Sequence, residues 1–379
     1  MNKTLIICYG YDGKNSNNAN AICLDMIIDK LSELIQIDII TTKDNKTSFS
    51  NEVYKNIHRV QIYSKKSGKI NFKRWNKDVL FYISNSLKVE EYKSILIISF
   101  PFNLLQLGFK IKKLNPNIKF LAYELDPYSY NKVLRFNKMA FLYRYFQENK
   151  VFKHADKILL THELYSQYAQ NMFSRYIYKL YNIGIPILRI NSTTKTNNKR
   201  CIVIYTGSFY KNIRDPEFML NTLGKVAEIC DFQLHLYGPN PAEISESCKS
   251  IFGKKLFIHG RVSKEEIDKA IVNSSILINI GNKVDNQLPS KVLEYIGTGK
   301  PIINFYTIEN DTSNRYLGLY PNSLLVKDDN EDYEDKVNKI VNFINCNKNR
   351  YLTNEQIFHI FNYYTYDEVV KRIYKELEM

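Results

Sequence analysis

The feature that most constrains the fold is an alternation of short apolar runs with longer amphipathic segments. Apolar runs typical of buried strands lie at 5–9, 37–41, 60–63, 94–99, 118–123 and 157–161. Segments with helical periodicity separate them near 19–35, 72–87, 102–114, 134–152 and 163–172. A second alternating set begins at 201–205 and runs to about 305. Alternation of this kind predicts α/β architecture, in which helices cover both faces of parallel sheets.

The two sets predict two doubly wound, Rossmann-like domains. Residues 191–199 are polar and linker-like, so they separate an N-terminal domain (1–190) from a C-terminal domain (200–355). The last segment, 356–379, has helical periodicity and is long enough to return to the N-terminal domain. Two such domains are expected to face each other across a crevice and to bind ligands at the carboxyl ends of their strands.

Basic charge is concentrated in the N-terminal half. Residues 1–190 contain 29 Lys and Arg against 15 Asp and Glu, whereas the rest of the chain is balanced at 24 against 24. This excess predicts attraction to an anionic surface or polyanion, and a lysine-rich solvated surface is the alternative. The six scattered cysteines indicate reduced thiols in a cytoplasm. The apolar run at the N-terminus is too short for a signal peptide, and no apolar run reaches the length of a transmembrane helix.

Residues 288–303, LPSKVLEYIGTGKPII, predict a tight turn, a short helix and a buried strand. Ser290 suits the helix N-cap, and the free N–H groups there favour phosphate. Lys291 adds a positive charge, and Glu294 follows one turn later on the same face. A carboxylate beside a phosphate site can accept hydrogen bonds from ribose hydroxyls, so this segment predicts a nucleotide site.

This segment resembles the donor-binding motif of GT-B glycosyltransferases, especially family 4 and its bacterial surface-polysaccharide members. Three upstream segments resemble the other landmarks of that family in order and spacing: 206–216 (TGSFYKNIRDP), 234–238 (LHLYG) and 259–267 (HGRVSKEEI). The resemblance is strong over about 200–305 and weak before it. It implies a GT-B fold and the transfer of a sugar from a nucleoside diphosphate sugar, an EC 2.4 reaction without cofactor.

The 206–214 loop departs from the family pattern. Ser208 stands where many members have an Arg, and one inserted residue places Arg214 where the family Lys usually falls. The resemblance implies that Arg214 binds the diphosphate, with Lys211 and Lys291 as further candidates. A solvated loop lysine is the alternative for Lys211, and an ion pair with the acid at 215 or 217 is the alternative for Arg214.

The second glutamate of the family motif is matched by Glu294, but Asn286 occupies the position of the first. An amide can bind a sugar hydroxyl but lacks the charge of a carboxylate. The resemblance implies a retaining, metal-independent reaction. The amide at Asn286 weakens the implication of retention, because it replaces the carboxylate of the family motif. The donor-binding residues that it implies are Gly207, Ser208, Arg261, Val262, Asn286, Ser290, Lys291 and Glu294. Uracil is the commonest base in such proteins.

The N-terminal domain is expected to bind the acceptor. Asp12 and Asn15 lie in a polar loop after the first strand, and Asp126 and His162 follow later strands. Asp126 can accept a hydrogen bond from the acceptor hydroxyl or assist its deprotonation, so it joins Arg214, Lys211 and Lys291 as a catalytic candidate. A turn-capping role for Asp126 and a structural role for His162 are the alternatives.

Residues 133–153 bring together basic side chains and aromatic or leucine side chains, including Lys138, Arg144, Lys150 and Lys153 with Phe136, Phe141, Leu142, Tyr143, Tyr145 and Phe146. Such a helix predicts peripheral docking on an anionic cytoplasmic membrane, where a lipid-diphosphate acceptor would reside. The alternative is that its aromatic side chains face the sheet. A second basic stretch, 65–77, surrounds Trp75.

The leading hypothesis is therefore a cytoplasmic, peripherally membrane-associated glycosyltransferase of capsule, exopolysaccharide or O-antigen assembly. Its expected partners are a nucleotide-sugar donor, for which the residues do not distinguish UDP from GDP, a glycan or lipid-diphosphate-linked acceptor and an anionic membrane surface, with no nucleic acid. The rival hypotheses are a non-hydrolysing sugar-nucleotide epimerase and a catalytically silent sugar-nucleotide-binding subunit. A nucleic-acid binder would suit the charge, but the chain has no recognisable nucleic-acid motif.

Overall fold

The computed structural model describes residues 3–11, 19–43, 49–54, 56–63, 65–66, 69–99, 101–133, 137–184, 200–210, 212–240, 244–329 and 331–378. The chain forms two compact units. The N-terminal unit comprises Met1–Pro186 and Tyr366–Met379, and the C-terminal unit comprises Ile187–Thr365. The expected linker at 191–199 lies outside the described residues.

The N-terminal unit is built on an eight-stranded sheet, in the order β10-β9-β8-β7-β1-β2-β4-β3, and has a small β5–β6 ribbon besides. The strands are β1 (Lys3–Ile7), β2 (Gln36–Lys43), β3 (Phe49–Tyr54), β4 (Ile57–Tyr63), β5 (Lys65–Lys66), β6 (Lys69–Ile70), β7 (Tyr92–Ser99), β8 (Lys119–Glu124), β9 (Lys157–Leu160) and β10 (Leu180–Asn182). The helices are α1 (Ala19–Ser32), α2 (Phe72–Ser86), α3 (Gln106–Leu114), α4 (Lys138–His154) and α5 (His162–Ala169).

The sheet departs from the predicted all-parallel arrangement at one edge. Strand β3 pairs antiparallel with β4, while the other paired strands of this sheet run parallel. The sequence of β3, FSNEVY, mixes polar and apolar residues as an edge strand does, so no apolar run marked it.

The two faces of this sheet carry separate apolar cores. One core includes Trp75, Phe120 and Phe152, and the other joins β1 and α1 to Val369 and Ile373 of the last helix, α13 (Tyr366–Glu378). Trp75 is fully buried and its Nε1 donates to the Ile62 carbonyl at 3.1 Å, so it belongs to the core rather than to a basic surface.

The C-terminal unit has a six-stranded parallel sheet in the order β13-β12-β11-β14-β15-β16. Its strands are β11 (Ile202–Thr206), β12 (Gln233–Tyr237), β13 (Leu256–Gly260), β14 (Ile276–Ile280), β15 (Ile302–Tyr306) and β16 (Ser323–Lys327). Its helices are α6 (Glu217–Ile229), α7 (Glu246–Phe252), α8 (Lys264–Asn273), α9 (Lys291–Ile296), α10 (Thr312–Leu317), α11 (Tyr333–Asn347) and α12 (Asn354–Phe361).

The end of the chain divides between the units. Helix α12 buries Ile357 and Phe361 in the apolar cluster of the C-terminal unit, whereas α13 packs with α1. The division falls after Thr365, ten residues later than the expected boundary at 355, because α12 has its own buried face.

Candidate functional site

Two glycines bring the ends of β11 and β12 together in the C-terminal unit. Gly207 has a φ of +139° and Gly238 a φ of +111°, and Gly207 N donates to the Tyr237 carbonyl at 2.7 Å. A Cβ on Gly238 would lie 2.5 Å from the Gly207 carbonyl oxygen, and a Cβ on Gly207 would lie 2.5 Å from Lys291 Nζ. The backbone is therefore open at this point only because both residues lack a side chain.

Lys291 lies beside this opening, as the first residue of α9. Its ammonium group donates to the backbone oxygen of Thr206 and, at 3.2 Å, to Thr206 Oγ1. Burial lowers the pKa of Lys291 to about 7, against the raising effect of Glu294 and with smaller lowering effects from Arg214 and Lys264. The site thus holds a cation whose charge is incompletely compensated, and an anionic ligand would stabilise it.

Arg214 reaches the same region from the loop after β11. A turn closes on Tyr210, whose carbonyl accepts from Arg214 N at 2.7 Å. Arg214 Nε donates to Asn282 Oδ1 at 2.6 Å, and the guanidinium is also hydrogen-bonded to the Tyr205 hydroxyl. Asn282 Nδ2 in turn donates to the Gln287 carbonyl at 2.8 Å. The loop after β14 therefore orients the guanidinium.

Asp215, one of the two acids proposed as alternative partners of Arg214, has other contacts. Asp215 Oδ2 lies 3.9 Å from Lys283 Nζ, and Asp215 Oδ1 accepts from Glu217 N at 3.2 Å. The geometry thus directs Arg214 to Asn282 and Tyr205.

Ser290 occupies the predicted N-cap position of α9, but the predicted capping role of its hydroxyl is wrong. Ser290 has helical backbone angles, φ −53° and ψ −28°, and its hydroxyl makes no capping hydrogen bond. The chain is already in a turn before α9, since Val292 N donates to the Pro289 carbonyl at 3.1 Å. An N-cap hydroxyl acts from an extended backbone, so this turn removes the capping geometry.

Glu294 is paired with Lys264 of α8, and Lys264 Nζ also lies 2.7 Å from Asp268 Oδ1. Both side chains of the Glu294–Lys264 pair remain about one-third exposed, at 30% and 33%. The remaining carboxylate surface of Glu294 is therefore accessible at the same helix as Lys291.

The other predicted donor residues lie around these groups on the C-terminal unit. Ser208 is half-buried after Gly207, Arg261 is exposed and Val262 half-buried after β13, and Asn286 is buried in the loop after β14. Lys211 lies outside the described residues.

Sequence reasoning missed several residues that shape this site. Tyr295 is fully buried and its hydroxyl lies 2.8 Å from Thr206 Oγ1, while Asn282 orients Arg214. Asp311, just before α10, is buried, which raises its pKa to about 6, against the lowering effects of Ser313 hydrogen bonds and Arg214. A polar residue following a strand was the only signal for Asn282, and no spacing rule indicated Asp311.

The predicted acceptor residues lie in the N-terminal unit where they are described. Asp126 is exposed two residues after β8, and His162 is the first residue of α5, with Nδ1 2.8 Å from Asn182 Nδ2. Asp12 and Asn15 lie outside the described residues. Among the described residues, no group of three or more His, Cys, Asp or Glu is arranged to hold a metal ion.

The C-terminal unit carries a recognisable family signature. Residues 200–342 match the family model for glycosyl transferases group 1. This segment is therefore a group 1 glycosyltransferase domain, and the chain is a glycosyltransferase with the GT-B fold, as the resemblance implied. No curated protein sequence matches the chain.

Solved structures share the fold along the whole chain. The apo form of lipopolysaccharide outer core galactosyltransferase WaaB is 12% identical, with 99% of each chain covered and a TM-score of 0.62. A structure from E. coli, described as trehalose-6-phosphate bound with UDP-2-fluoro glucose, is 7% identical, with 100% of this chain and 99% of the other covered and a TM-score of 0.69.

A third similar structure is a mutant of TarM from S. aureus in complex with fondaparinux, alpha-GlcNAc-glycerol and UDP. It is 9% identical, with 100% of each chain covered and a TM-score of 0.60. At these identities the similarity establishes the GT-B fold. The expected two-domain α/β architecture is thereby confirmed.

Proposed function

We propose that this glycosyltransferase moves a sugar from a nucleoside diphosphate sugar to a glycan or lipid-linked glycan during surface-polysaccharide assembly. The observation that carries the proposal is the convergence of Arg214 and Lys291 at the ends of β11 and β14, with Lys291 partly deprived of its charge by burial. A diphosphate would restore the protonated state of that lysine and neutralise both cations.

The chemistry follows from the charge that develops on the leaving group. When the glycosidic bond to the donor breaks, negative charge grows on the diphosphate oxygens. A planar guanidinium at Arg214 can bind two of them at once, and Lys291 adds a point charge. Gly207 and Ser208 leave the backbone open to the phosphates, and Lys211 is assigned to the same cationic group.

Glu294 is assigned to the ribose and Asn286 to a hydroxyl of the donor sugar. Arg261 and Val262 are assigned to the base, and Ser290 to the donor through its backbone. We propose retention of configuration with no metal and no enzymic nucleophile, because the donor-site segments resemble those of family 4. The amide at 286 lacks the charge of the first motif carboxylate, so no role that needs negative charge is assigned to Asn286.

On the acceptor side, Asp126 is proposed to accept a hydrogen bond from the attacking hydroxyl, and its exposure after β8 leaves it accessible. Asp12, Asn15 and His162 are proposed to contact the acceptor. UDP is the proposed nucleotide, because the similar structures bound to a nucleotide contain UDP-2-fluoro glucose and UDP.

Thermal-shift titration with UDP, GDP, CMP and dTDP tests the donor site, because a ligand that binds only the folded protein raises its melting temperature. We expect UDP to stabilise the wild type and Glu294→Ala to lose much of that effect. Glu265→Ala is the matched control, since Glu265 is an exposed carboxylate paired with Lys269 on α8. Failure of all four nucleotides to stabilise the wild type would contradict the proposal.

We also propose cytoplasmic localisation with peripheral docking on an anionic membrane through α4. Its exposed apolar side chains are Met139 (76% exposed), Leu142 (43%), Tyr143 (63%) and Phe146 (61%). Their spacing places them on one face of the helix, and Tyr145 is buried, so the aromatic residues divide between core and solvent. Among the described residues, no helix has the length and apolarity needed to span a membrane.

Liposome flotation tests this docking. Wild-type protein is expected to float with vesicles that contain anionic lipid, and the double variant Tyr143→Ser, Phe146→Ser is expected to remain in the soluble fraction. Phe81→Ser is the control, because Phe81 is 70% exposed on α2, away from the proposed face of α4. Equal flotation of the wild-type protein with neutral and with anionic vesicles would contradict charge-driven docking.

A further inference from the structure

Two glutamates meet in the dry interior of the N-terminal unit. Glu124 is the last residue of β8 and Glu148 lies in α4, and both side chains are fully buried. Both carboxyl groups approach the hydroxyl of Tyr168, which lies 2.5 Å from Glu148 Oε1 and 3.4 Å from Glu124 Oε1. Two ionised carboxylates held this close in the dry interior would repel each other, so one of them is expected to hold a proton.

Their other partners are unequally divided. Glu148 Oε1 accepts from the Tyr168 hydroxyl at 2.5 Å, and Glu148 Oε2 accepts from the hydroxyl and the backbone N–H of Ser129. Glu124 Oε1 lies 3.4 Å from the same Tyr168 hydroxyl, a longer and weaker contact than that of Glu148. Within the described part of the chain, Glu124 Oε2 has no hydrogen-bond partner.

This division decides where a shared proton lies. A carboxylate is stabilised by the donors around it, so the negative charge belongs on Glu148. Glu124 lacks such donors, and burial together with the charge on Glu148 raises its pKa well above the usual range. Burial also raises the pKa of Glu148, but its hydrogen bonds to Glu124, Ser129 and Tyr168 lower it.

We propose that Glu124 is a neutral carboxylic acid that donates its proton to an ionised Glu148, and that this carboxyl pair positions the segment 125–133 that carries Asp126. Glu124 anchors the start of the segment, where Leu125 N also donates to Ser99 Oγ at 3.0 Å. Ser129 anchors its middle through two hydrogen bonds to Glu148. Asp126 lies between these anchors. Only the link from Asp126 to the acceptor rests on the proposed function.

The pair predicts opposite outcomes for the same chemical change at two touching positions. In Glu124→Gln, the amide N–H donates to Glu148 as the carboxylic acid did, so folding and the segment should be preserved. In Glu148→Gln, the amide has one acceptor oxygen where the carboxylate has two. Its NH2 group cannot accept the hydrogen bond that the second carboxylate oxygen accepted. Ser129 or Tyr168 then loses its partner, so the segment should be released.

Infrared spectroscopy of the full-length protein reports the proton directly. At pH 8, where Asp311 is ionised, the wild type is expected to show the carbonyl band of a protonated carboxylic acid, and Glu124→Gln is expected to lose it. Absence of the band from the wild type, or its persistence in Glu124→Gln, would overturn the proposal, and this measurement does not depend on Glu148→Gln folding.

Hydrogen exchange followed by mass spectrometry tests the positioning. Amides in 125–133 are expected to exchange about tenfold faster in Glu148→Gln, and within about twofold of the wild-type rate in Glu124→Gln, while the C-terminal unit is unchanged. Equal acceleration in both variants would contradict positioning by an asymmetric pair. Both readouts are independent of sugar transfer, so loss of the transferase proposal would leave them intact.

Discussion

The ends of the central strands carry opposite chemistry in the two units. In the C-terminal unit, Arg214 and Lys291 gather beside β11, and the lysine is held close to losing its proton. In the N-terminal unit, β8 ends in Glu124, whose carboxyl group is matched by Glu148 inside the core. Burial disfavours charge in both places. Only the acidic pair lowers its own charge, because the two carboxyl groups share a proton.

This difference separates a binding site from a scaffold. A buried cation cluster without enough counter-charge is stabilised when an anion binds. Binding therefore offsets part of the free-energy cost of burying the cations. A carboxyl pair that already shares a proton gains nothing from a ligand and instead fixes the backbone around it. Variants that remove or fix the charge of these buried groups therefore test the comparison.

The largest expected effect is that of Arg214→Ala on nucleotide binding. Removal of a guanidinium that contacts the diphosphate should weaken UDP binding by a factor on the order of 100, the loss of a charge-assisted hydrogen bond. Calorimetric titration measures the change in Kd. Lys225→Ala is the matched control, because Lys225 is an exposed cation on α6 paired with Glu228. Similar affinity in both variants would remove Arg214 from the donor site.

The next effect concerns Asp311, a buried acid close to the cationic site. Its pKa in the folded protein is about 6, above the ordinary value of 3.8. The protonated side chain favours folding, so this contribution is present below about pH 4 and is lost as the pH rises through about 6. The expected loss is about 3 kcal/mol.

Asp311→Asn should remove this pH dependence while its side-chain oxygen still accepts from Ser313 N, as Asp311 Oδ1 does at 2.6 Å. Scanning calorimetry of the wild type and the variant from pH 4 to pH 7 gives the comparison. If the difference in stability between them stays constant over that range, Asp311 does not titrate as inferred.

Part of this arrangement could be predicted from the sequence. Strand β14, Ile276–Ile280, is buried on both faces, and its apolar sequence, interrupted by Asn279, is typical of such a strand. The proximity of Arg214 and Lys291 follows from the same logic, because loops after neighbouring parallel strands lie at one edge of the sheet. Edge strand β3 gave no comparable signal, since half of its residues are polar.

The parts that escaped prediction depend on tertiary geometry. Ser290 has the right side chain for a cap, but its backbone angles are set by the turn at Pro289, which residue type does not reveal. Glu124 and Glu148 are 24 positions apart, and each alone reads as an ordinary charged residue. Their pairing arises from the packing of α4 on β8, which buries both.

A smaller effect is expected in the pH dependence of UDP binding. The pKa of Lys291 is about 7 without ligand, and a bound diphosphate should raise it. Protonated protein therefore binds more tightly, and affinity should fall by up to about tenfold per pH unit above pH 7. Lys291→Arg should flatten this dependence, because a guanidinium keeps its charge.

The useful range for that titration is pH 7 to 9, since the terminal phosphate of the nucleotide has its second pKa near 6 and is mostly ionised by pH 7. A wild-type affinity that is constant across this range, or one that falls equally in Lys291→Arg, would show that Lys291 does not exchange a proton on binding.

The smallest expected effect distinguishes the two roles open to Glu294, an ion-pair partner and a ribose acceptor. The pair with Lys264 is about one-third exposed on both sides, so solvent screens it and its loss alone should cost little. Lys264→Ala should therefore change UDP affinity by no more than about twofold, whereas Glu294→Gln should weaken it about fivefold, since a hydrogen bond to ribose is worth about 1 kcal/mol.

A 2′,3′-dideoxy analogue of UDP completes the cycle. Wild type should prefer UDP over the analogue, and Glu294→Gln should not. If Lys264→Ala and Glu294→Gln lose the same affinity and both still discriminate the analogue, Glu294 serves only to hold α8 against α9, and the ribose is bound elsewhere in the C-terminal unit.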